Sequence, residues 1–374
     1  MRQGRTRGSA AAVRYAVIGQ GYISQVAVLP AFAHARRNSV LAALVSDDER
    51  KLRTLGRRYR VTRLCGYDAV GELFESGEID AVYIALPNSM HAEYTIRAAH
   101  AGLHVLCEKP MAVTTRECQQ MIAETRRARV KLMIAYRLHF ERANLEAARI
   151  VRSRRLGDIR YFDSQFSMQV KAGNIRLDCE LGGGPLYDIG IYCINAARSA
   201  FAAEPTEVWA TETNSGDARF KEVPETVSVV MKFPEQRVAT FTCSFGAADR
   251  SAYEVVGTRG SLRMEPAYEY AEGLGYELTI GERKRRRKFA KRDQFAPELL
   301  YFSDCVLRDR KVEPSGEEGL ADVRIIEALR ESMASGRFVA TGLAQREQRP
   351  TLKQETRRPA VRKPKLVNVS TPHP

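Results

Sequence analysis

Two stretches of this 374-residue chain carry residue types that could do chemistry. The first is GGGPLYDIGIYCIN, residues 182–195. Read as a helix with Pro185 at its first position, it places Asp188 and Tyr192 four residues apart and therefore on one face. Gly190 falls on another face, where it permits close packing. Three consecutive glycines could instead cradle a phosphate, which would move the chemistry from the helix to the loop. The second stretch is HVLCEKPMA, with Glu108 and Lys109 at the carboxyl end of an apolar strand that Pro110 stops. In open α/β sheets ligands bind at that edge. A lysine there could hold a substrate hydroxyl and lower the pKa of a neighbouring acid/base group through its charge. It could equally be an exposed lysine of a βα loop.

A phosphate site is better placed elsewhere. VRYAVIGQGYISQVAVLPAF sets Gly19 and Gly21 between the first apolar strand and a helix. Gly19 permits the tight turn, and Gly21 lets a pyrophosphate approach the backbone at the positive end of the helix. Ser24 occupies the third small position. The glycines at 182–184 follow no strand of this first region and lack the Lys-Ser/Thr ending of a P-loop. They are therefore read as the opening of the helix that carries Asp188 and Tyr192.

The end of the second strand, LAALVSDDERK, bears on cofactor choice. If Ser46 holds the discriminating position, its hydroxyl with Arg50 and Lys51 suits a 2′-phosphate; if Asp47 does, the ribose hydroxyls of NAD are favoured. Arg50 and Lys51 could also simply be a solvated helix face. PNSMHAE follows a further strand, so that Asn88 could approach a nicotinamide, while His91 could be no more than the start of the next helix.

These residues need elements to position them. From Arg14 to about Ile134, near-continuous apolar strands alternate with amphipathic helical stretches, the pattern of a parallel, doubly wound sheet. Beyond about residue 158 the period becomes two, as expected of a mostly antiparallel sheet with one exposed face. The reading is an α/β chain with four parts. They are a basic segment (1–13), a Rossmann dinucleotide-binding domain (14–136), an α/β domain for substrate and oligomerisation (137–340), and a basic tail without a periodic apolar face (341–374). That tail is expected to be disordered.

The net charge of +14 is peripheral. Residues 1–14, 283–292 and 341–374 together hold +18, which leaves the rest of the chain at −4. Such runs read as solvated faces or tails rather than a nucleic-acid surface. The seven cysteines lack any CxxC pair, which points to reduced thiols and away from a structural zinc site. No apolar run approaches the roughly 18–20 residues needed to span a bilayer. No separate apolar segment with a cleavage site follows the basic N-terminus. A cytoplasmic location is expected, with no metal, membrane or nucleic-acid partner.

Taken together, GQGYIS, ALPNSMHAEYTIRAAHAGLHVLCEKPMA, LMIAYRLHF and GGGPLYDIGIYCINAAR make the sequence resemble the Gfo/Idh/MocA oxidoreductases. Within them it is most similar to the glucose–fructose oxidoreductase-like branch, from about Arg14 to Phe338. The resemblance implies a Rossmann domain followed by an α/β domain whose large open sheet forms a homodimer or homotetramer interface. It implies Lys109 and Tyr192 facing the nicotinamide with Asp188 beside them. It also implies a cofactor-binding set of Gly19, Gly21, Tyr22, Ile23, Ser46, Lys51, Leu86, Pro87, Asn88, His91, Glu108, Lys109 and Arg137, and a Lys109–Pro110 bond in the cis form. LVSDDERK looks like the NADP version of the second-strand end, which places NADP ahead of NAD.

The chemistry so implied is hydride transfer between a sugar (an aldose or related polyol) and nicotinamide, with Tyr192 as acid/base assisted by Lys109 and Asp188. One alternative is an aldose–aldose or glucose–fructose type of oxidoreductase that keeps its NADP. An alternative of another class is a non-catalytic NADP-binding regulator, whose mark would be loss of Lys109 or Tyr192. Both are present.

Overall fold

The computed structural model describes residues 12–346 and 349–372; nearly all of the expected basic segment 1–13 lies outside the described residues. Six short strands form one parallel sheet: β1 (Val13–Ile18), β2 (Ser39–Val45), β3 (Arg63–Cys65), β4 (Ala81–Ile84), β5 (His104–Glu108) and β6 (Leu132–Ala135). Their order is β3-β2-β1-β4-β5-β6. The strands are apolar on both faces because both faces are covered, and their cores are buried throughout. The order reverses between β1 and β4, and that reversal opens a crevice at the strands' carboxyl ends.

The second sheet has nine strands: β7 (Ile159–Ser167), β8 (Glu207–Thr213), β9 (Thr226–Phe233), β10 (Arg237–Ser244), β11 (Arg250–Gly257), β12 (Gly260–Met264), β13 (Gly275–Ile280), β14 (Arg283–Lys288) and β15 (Val339–Ala340). Every neighbouring pair is antiparallel except β7 with β10. Alternation sets its two faces apart. In β7, Phe162, Ser164 and Phe166 are buried, while Tyr161 and Gln165 on the alternate positions are exposed. The basic run at 283–292 begins as β14, an edge strand with almost every side chain in solvent. It has no apolar face to bury and is held by the backbone ladder to β13 and by ion pairs such as Arg286 with Glu277, 2.5 Å. A charged edge of this kind discourages further strand pairing.

Two expectations need correction. The helix Ala296–Leu307, placed by sequence in the second domain, lies on the first sheet. Its Ser303 hydroxyl is 2.7 Å from the Tyr15 hydroxyl of β1, and its Leu300 carbonyl accepts a hydrogen bond from Asn38 (2.9 Å). The expected disordered tail beyond Ala340 is, over its described residues, a strap lying along both domains. It lacks a periodic apolar face because polar contacts hold it. Arg349 reaches a buried carboxylate, Arg358 donates to the His34 carbonyl (3.0 Å), and Val367 pairs with Gln25. All seven cysteines are free, and only Cys179 is exposed.

Candidate active site

The glycine loop is fixed by close backbone approach. Gly19 has φ +92°, and a Cβ on it would sit 2.4 Å from the Ala85 carbonyl oxygen. Around Gly21 there is open space, which is the room a pyrophosphate needs. Ser24 does more than stay small, since its hydroxyl donates to the Gly19 carbonyl at 2.6 Å and locks the turn. The helix that follows runs through wide π-type turns over Ser24–Val28.

The Asp188–Tyr192 helix opens in the same way. Gly184 has φ +112°, Pro185 takes the first helical position, and wide turns over Leu186–Gly190 lead into the α-helix Ile191–Phe201. Asp188 and Tyr192 emerge on the same side. A Cβ on Gly190 would lie 3.2 Å from Cys243 Sγ, so the glycine lets this helix press onto the second sheet. The three glycines are thus structural. Gly183 packs so tightly that a Cβ would meet the Arg176 and Asp178 carbonyl oxygens at 2.5 and 2.6 Å.

Lys109 closes the site from the first domain, and the Lys109–Pro110 bond that follows it is cis. Its Nζ donates to Asp188 Oδ1 (3.1 Å) and to the Asp188 carbonyl (2.8 Å), and it lies 4.9 Å from the centre of the Tyr192 ring. Arg137 also sets its guanidinium 5.0 Å from the centre of the same ring and 5.3 Å from that of Tyr270. Arg137 is buried and anchored by hydrogen bonds to Gln294 and to the Tyr268 carbonyl. Arg176 donates to the second Asp188 oxygen at 2.5 Å. Burial alone would raise the Asp188 pKa, but Arg176 and Lys109 outweigh it and hold the carboxylate well below its usual range. Burial likewise depresses Lys109, yet Asp188 and Tyr192 reverse the sign and keep the ammonium charged.

All of these groups line one cleft of about 960 Å³ at the carboxyl edge of the first sheet. The expected residues Gly19, Gly21, Tyr22, Ile23, Ser46, Lys51, Leu86, Pro87, Asn88, His91, Glu108, Lys109, Arg137, Asp188 and Tyr192 all border it. Some border it as supports. His91 is fully buried with its ring nitrogens 2.8 and 3.0 Å from the Pro110 and Leu86 carbonyl oxygens, so it braces two loops. Glu108 accepts from the Tyr83 hydroxyl at 2.8 Å, and Asn88 donates to the Gly182 carbonyl at 2.8 Å. Ser46 is buried at the tip of β2 and accepts from the Asp48 amide (3.2 Å), while Asp47 beside it is exposed.

Sequence reading missed Arg176, Phe166, Tyr268 and Tyr270. Phe166 and Tyr268 pack on the Tyr192 ring at 5.6 and 5.9 Å. Arg176 sits in an aperiodic loop, KAGNIRLDCELGGG, where no spacing marks it. The aromatic residues are at strand and loop positions that read as ordinary core.

Comparison with known proteins shows the family. Residues 13–136 match the model of the Gfo/Idh/MocA oxidoreductase family with its NAD-binding Rossmann fold, and residues 144–263 match the C-terminal domain of that family. The sequence is 31% identical to a D-xylose 1-dehydrogenase (NADP(+)) of Haloferax volcanii, over 87% of this chain and 98% of that one. The fold is similar to the aldose-aldose oxidoreductase of Caulobacter crescentus, with a TM-score of 0.84 and 36% identity over 88% of this chain and 99% of the other. It is also similar to a 3-ketoreductase of Actinomadura kijaniata whose crystal holds NADP and TDP-benzene, with a TM-score of 0.79 and 26% identity over 86% and 98% of the two chains.

Proposed function

The chain belongs to the Gfo/Idh/MocA family of oxidoreductases, and on that premise we propose that it is an NADP-dependent enzyme transferring hydride between a sugar and nicotinamide. The observation that carries this reading is the pair of cations, Lys109 and Arg137, at 4.9 and 5.0 Å from the centre of the Tyr192 ring in the cleft that also holds the glycine loop. The residues present fit a dinucleotide. Gly21 is open to an approaching pyrophosphate, and Ser46 rather than an acid directly follows β2, with Lys51 nearby on the cleft wall. When bound, the nicotinamide accepts or returns the hydride.

The chain's own residues handle the proton and the substrate. In the oxidative direction Tyr192 takes the hydroxyl proton as the C–H electron pair leaves the same carbon. Lys109 and Arg137 stabilise the charge on the phenol oxygen. Asp188, held ionised by Arg176 and Lys109, accepts a hydrogen bond from a sugar hydroxyl, and the free N–H groups of Arg176 donate to another. A polyol needs several such partners, because a buried donor or acceptor left unpaired by the wrong sugar is what rejects it.

The 36% identity to an aldose-aldose oxidoreductase favours a second reading, in which one sugar is oxidised and another reduced on a cofactor that stays bound. The test is a panel of aldoses and ketoses with added NADP, followed at the nicotinamide absorption band, alongside the nucleotide content of the purified protein. Reduction of added NADP by a sugar supports the dehydrogenase. A retained, redox-active nucleotide supports the second reading. Binding of NADP without turnover of any sugar would overturn the substrate class.

The exposed face of the nine-stranded sheet, bearing Tyr161 and Gln165, is where copies of the chain would meet as a dimer or tetramer. A monomer in light scattering would remove that part of the proposal.

A further inference from the structure

The end of the described tail runs across the dinucleotide cleft. Arg58, on the helix Glu49–Tyr59, donates to the Lys365 carbonyl at 2.7 Å. Two residues on, the Val367 backbone is held from both sides by one side chain: its amide donates to Gln25 Oε1 (2.8 Å), and its carbonyl accepts from Gln25 Nε2 (2.9 Å). The same Gln25 nitrogen donates to the Gln20 carbonyl in the glycine loop at 3.0 Å. Asn368 turns the chain at φ +47°, a conformation asparagine tolerates, and donates to Asp48 Oδ2 at 3.0 Å. Four residues later the Pro372 carbonyl accepts from the Lys171 amide of the second domain (3.0 Å), and Pro372 borders the cleft. Four extended residues reach at most about 14 Å. The strap therefore joins one wall of the cleft to the other over a short gap.

Its attachment points are those of the cofactor's adenosine half. Asp48 takes the Asn368 amide on one oxygen and the Lys51 backbone amide on the other (2.9 Å), while its own amide donates to Ser46. A continuous chain of hydrogen bonds thus runs from the strap to Ser46 and Lys51.

We propose that residues 365–372 are a working part of the cofactor site. They close the cleft over the adenosine end, and Asn368 positions the Ser46–Lys51 loop for a 2′-phosphate. Release of the nucleotide then requires the strap to leave first. Neither Val367 nor Asn368 touches the reacting atoms, so the strap positions and retains. The inference rests on the reading of this cleft as an NADP site.

The experiment compares the full chain with one ending at Pro359 and with Asn368→Ala. NADPH release is followed by fluorescence after trapping with excess NADP, and dissociation constants are measured for NADP and NAD. Truncation is expected to speed NADPH release by about tenfold or more, the effect of losing one to two good contacts. Asn368→Ala is expected to weaken NADP several-fold more than NAD, a split that a merely structural role would not produce. Hydrogen exchange at residues 365–372 should slow when NADP is added to the full chain. Equal release rates with and without the strap overturn the inference while leaving the functional reading intact. So does equal weakening of both nucleotides by Asn368→Ala, which needs no truncated chain to fold. A full chain that binds neither nucleotide overturns both.

Discussion

One helix, Ile191–Phe201, serves two buried ionic clusters, and they differ in what is left over. Near its start, Tyr192 joins Lys109, Asp188, Arg176 and Arg137 around an open cleft. Further along, Arg198 is fully buried and gives all five of its N–H groups to carboxylates: Glu204 at 2.5 and 2.9 Å, Glu318 at 2.8 and 3.1 Å, and Asp322 at 2.6 Å. Asn195 bridges Glu318 and Asp322 at 3.0 Å each, and Arg349 of the tail adds a bond to Glu204 at 2.7 Å. Arg198, Glu204 and Asp322 are fully buried, and of this cluster Asn195 borders an apolar pocket that Tyr192 and Lys109 also line. Burial and ion pairing are common to both. What separates a site from a staple is unused hydrogen-bonding capacity turned towards a cavity, and Lys109 and Arg176 have it while Arg198 does not.

The comparison breaks most visibly if the two clusters exchange phenotypes. Tyr192→Phe should lower turnover by about 10³-fold, within the range for loss of a general acid/base, while NADP binding and the melting temperature stay near those of the parent. Near-normal sugar turnover would remove Tyr192 from its role. Arg198→Ala should do the converse. It leaves Glu204, Glu318 and Asp322 buried without their shared cation, so the loss of stability is expected at about 3–5 kcal/mol in chemical denaturation. A variant at Arg198 that stays as stable as the parent but loses turnover would mean the second cluster is not a staple.

A subtler contrast lies within the first cluster. Arg176 holds one oxygen of Asp188 while Lys109 holds the other. Arg176→Gln keeps some donor capacity but removes the charge. It should lower kcat/KM for the sugar by about 10–100-fold, the cost of one charged hydrogen bond. The loss should appear chiefly in KM, since Arg176 is assigned to the ground-state hydroxyls. A loss confined to kcat would place Arg176 in the proton path instead.

The parts of this molecule that were legible from sequence are those governed by local rules. Strand–helix alternation produced the first sheet, Gly19 and Gly21 marked the dinucleotide turn, and the four-residue spacing put Asp188 and Tyr192 together. Arg176 was not legible, because its position depends on a loop folding back over residues 182–184 and no period records such a fold. The tail was misread for a related reason. Disorder was inferred from missing apolar periodicity, yet the strap is fastened by single polar contacts such as Val367 with Gln25 and Arg349 with Glu204, spread over distant elements. The helix Ala296–Leu307 showed its apolar faces in sequence but not which sheet they would meet.

The smallest expected effect concerns the rim of the sealed cluster. Glu313 is buried; among the described residues one of its carboxyl oxygens has no partner, and the other has only a long contact from Arg346 at 3.5 Å. Burial, then the charge of Glu318, push its pKa up to about 7, against the weaker pulls of Arg346, Arg198 and Arg349. Between about pH 4.5 and 7 the native chain therefore keeps a proton that the unfolded chain has lost. With the native state binding more protons at this group, the Glu313 share of stability falls as pH rises through that window and levels off above it, while buried His91 and His139, whose pKa values are lowered by burial, pull the other way. Asp322, raised in the same direction by burial and by Glu318, adds to the slope, whereas Glu318 itself is held low and has its effect at more acid pH. Glu313→Gln is neutral at every pH and removes the Glu313 share. Its melting temperature should match the parent near pH 4.5 and exceed it by about 2–4 °C at pH 8. A variant offset from the parent by the same amount at every pH would show that Glu313 is not the neutral acid in this cluster. The two clusters would then differ in access to solvent alone, with the sealed one carrying its full complement of charge.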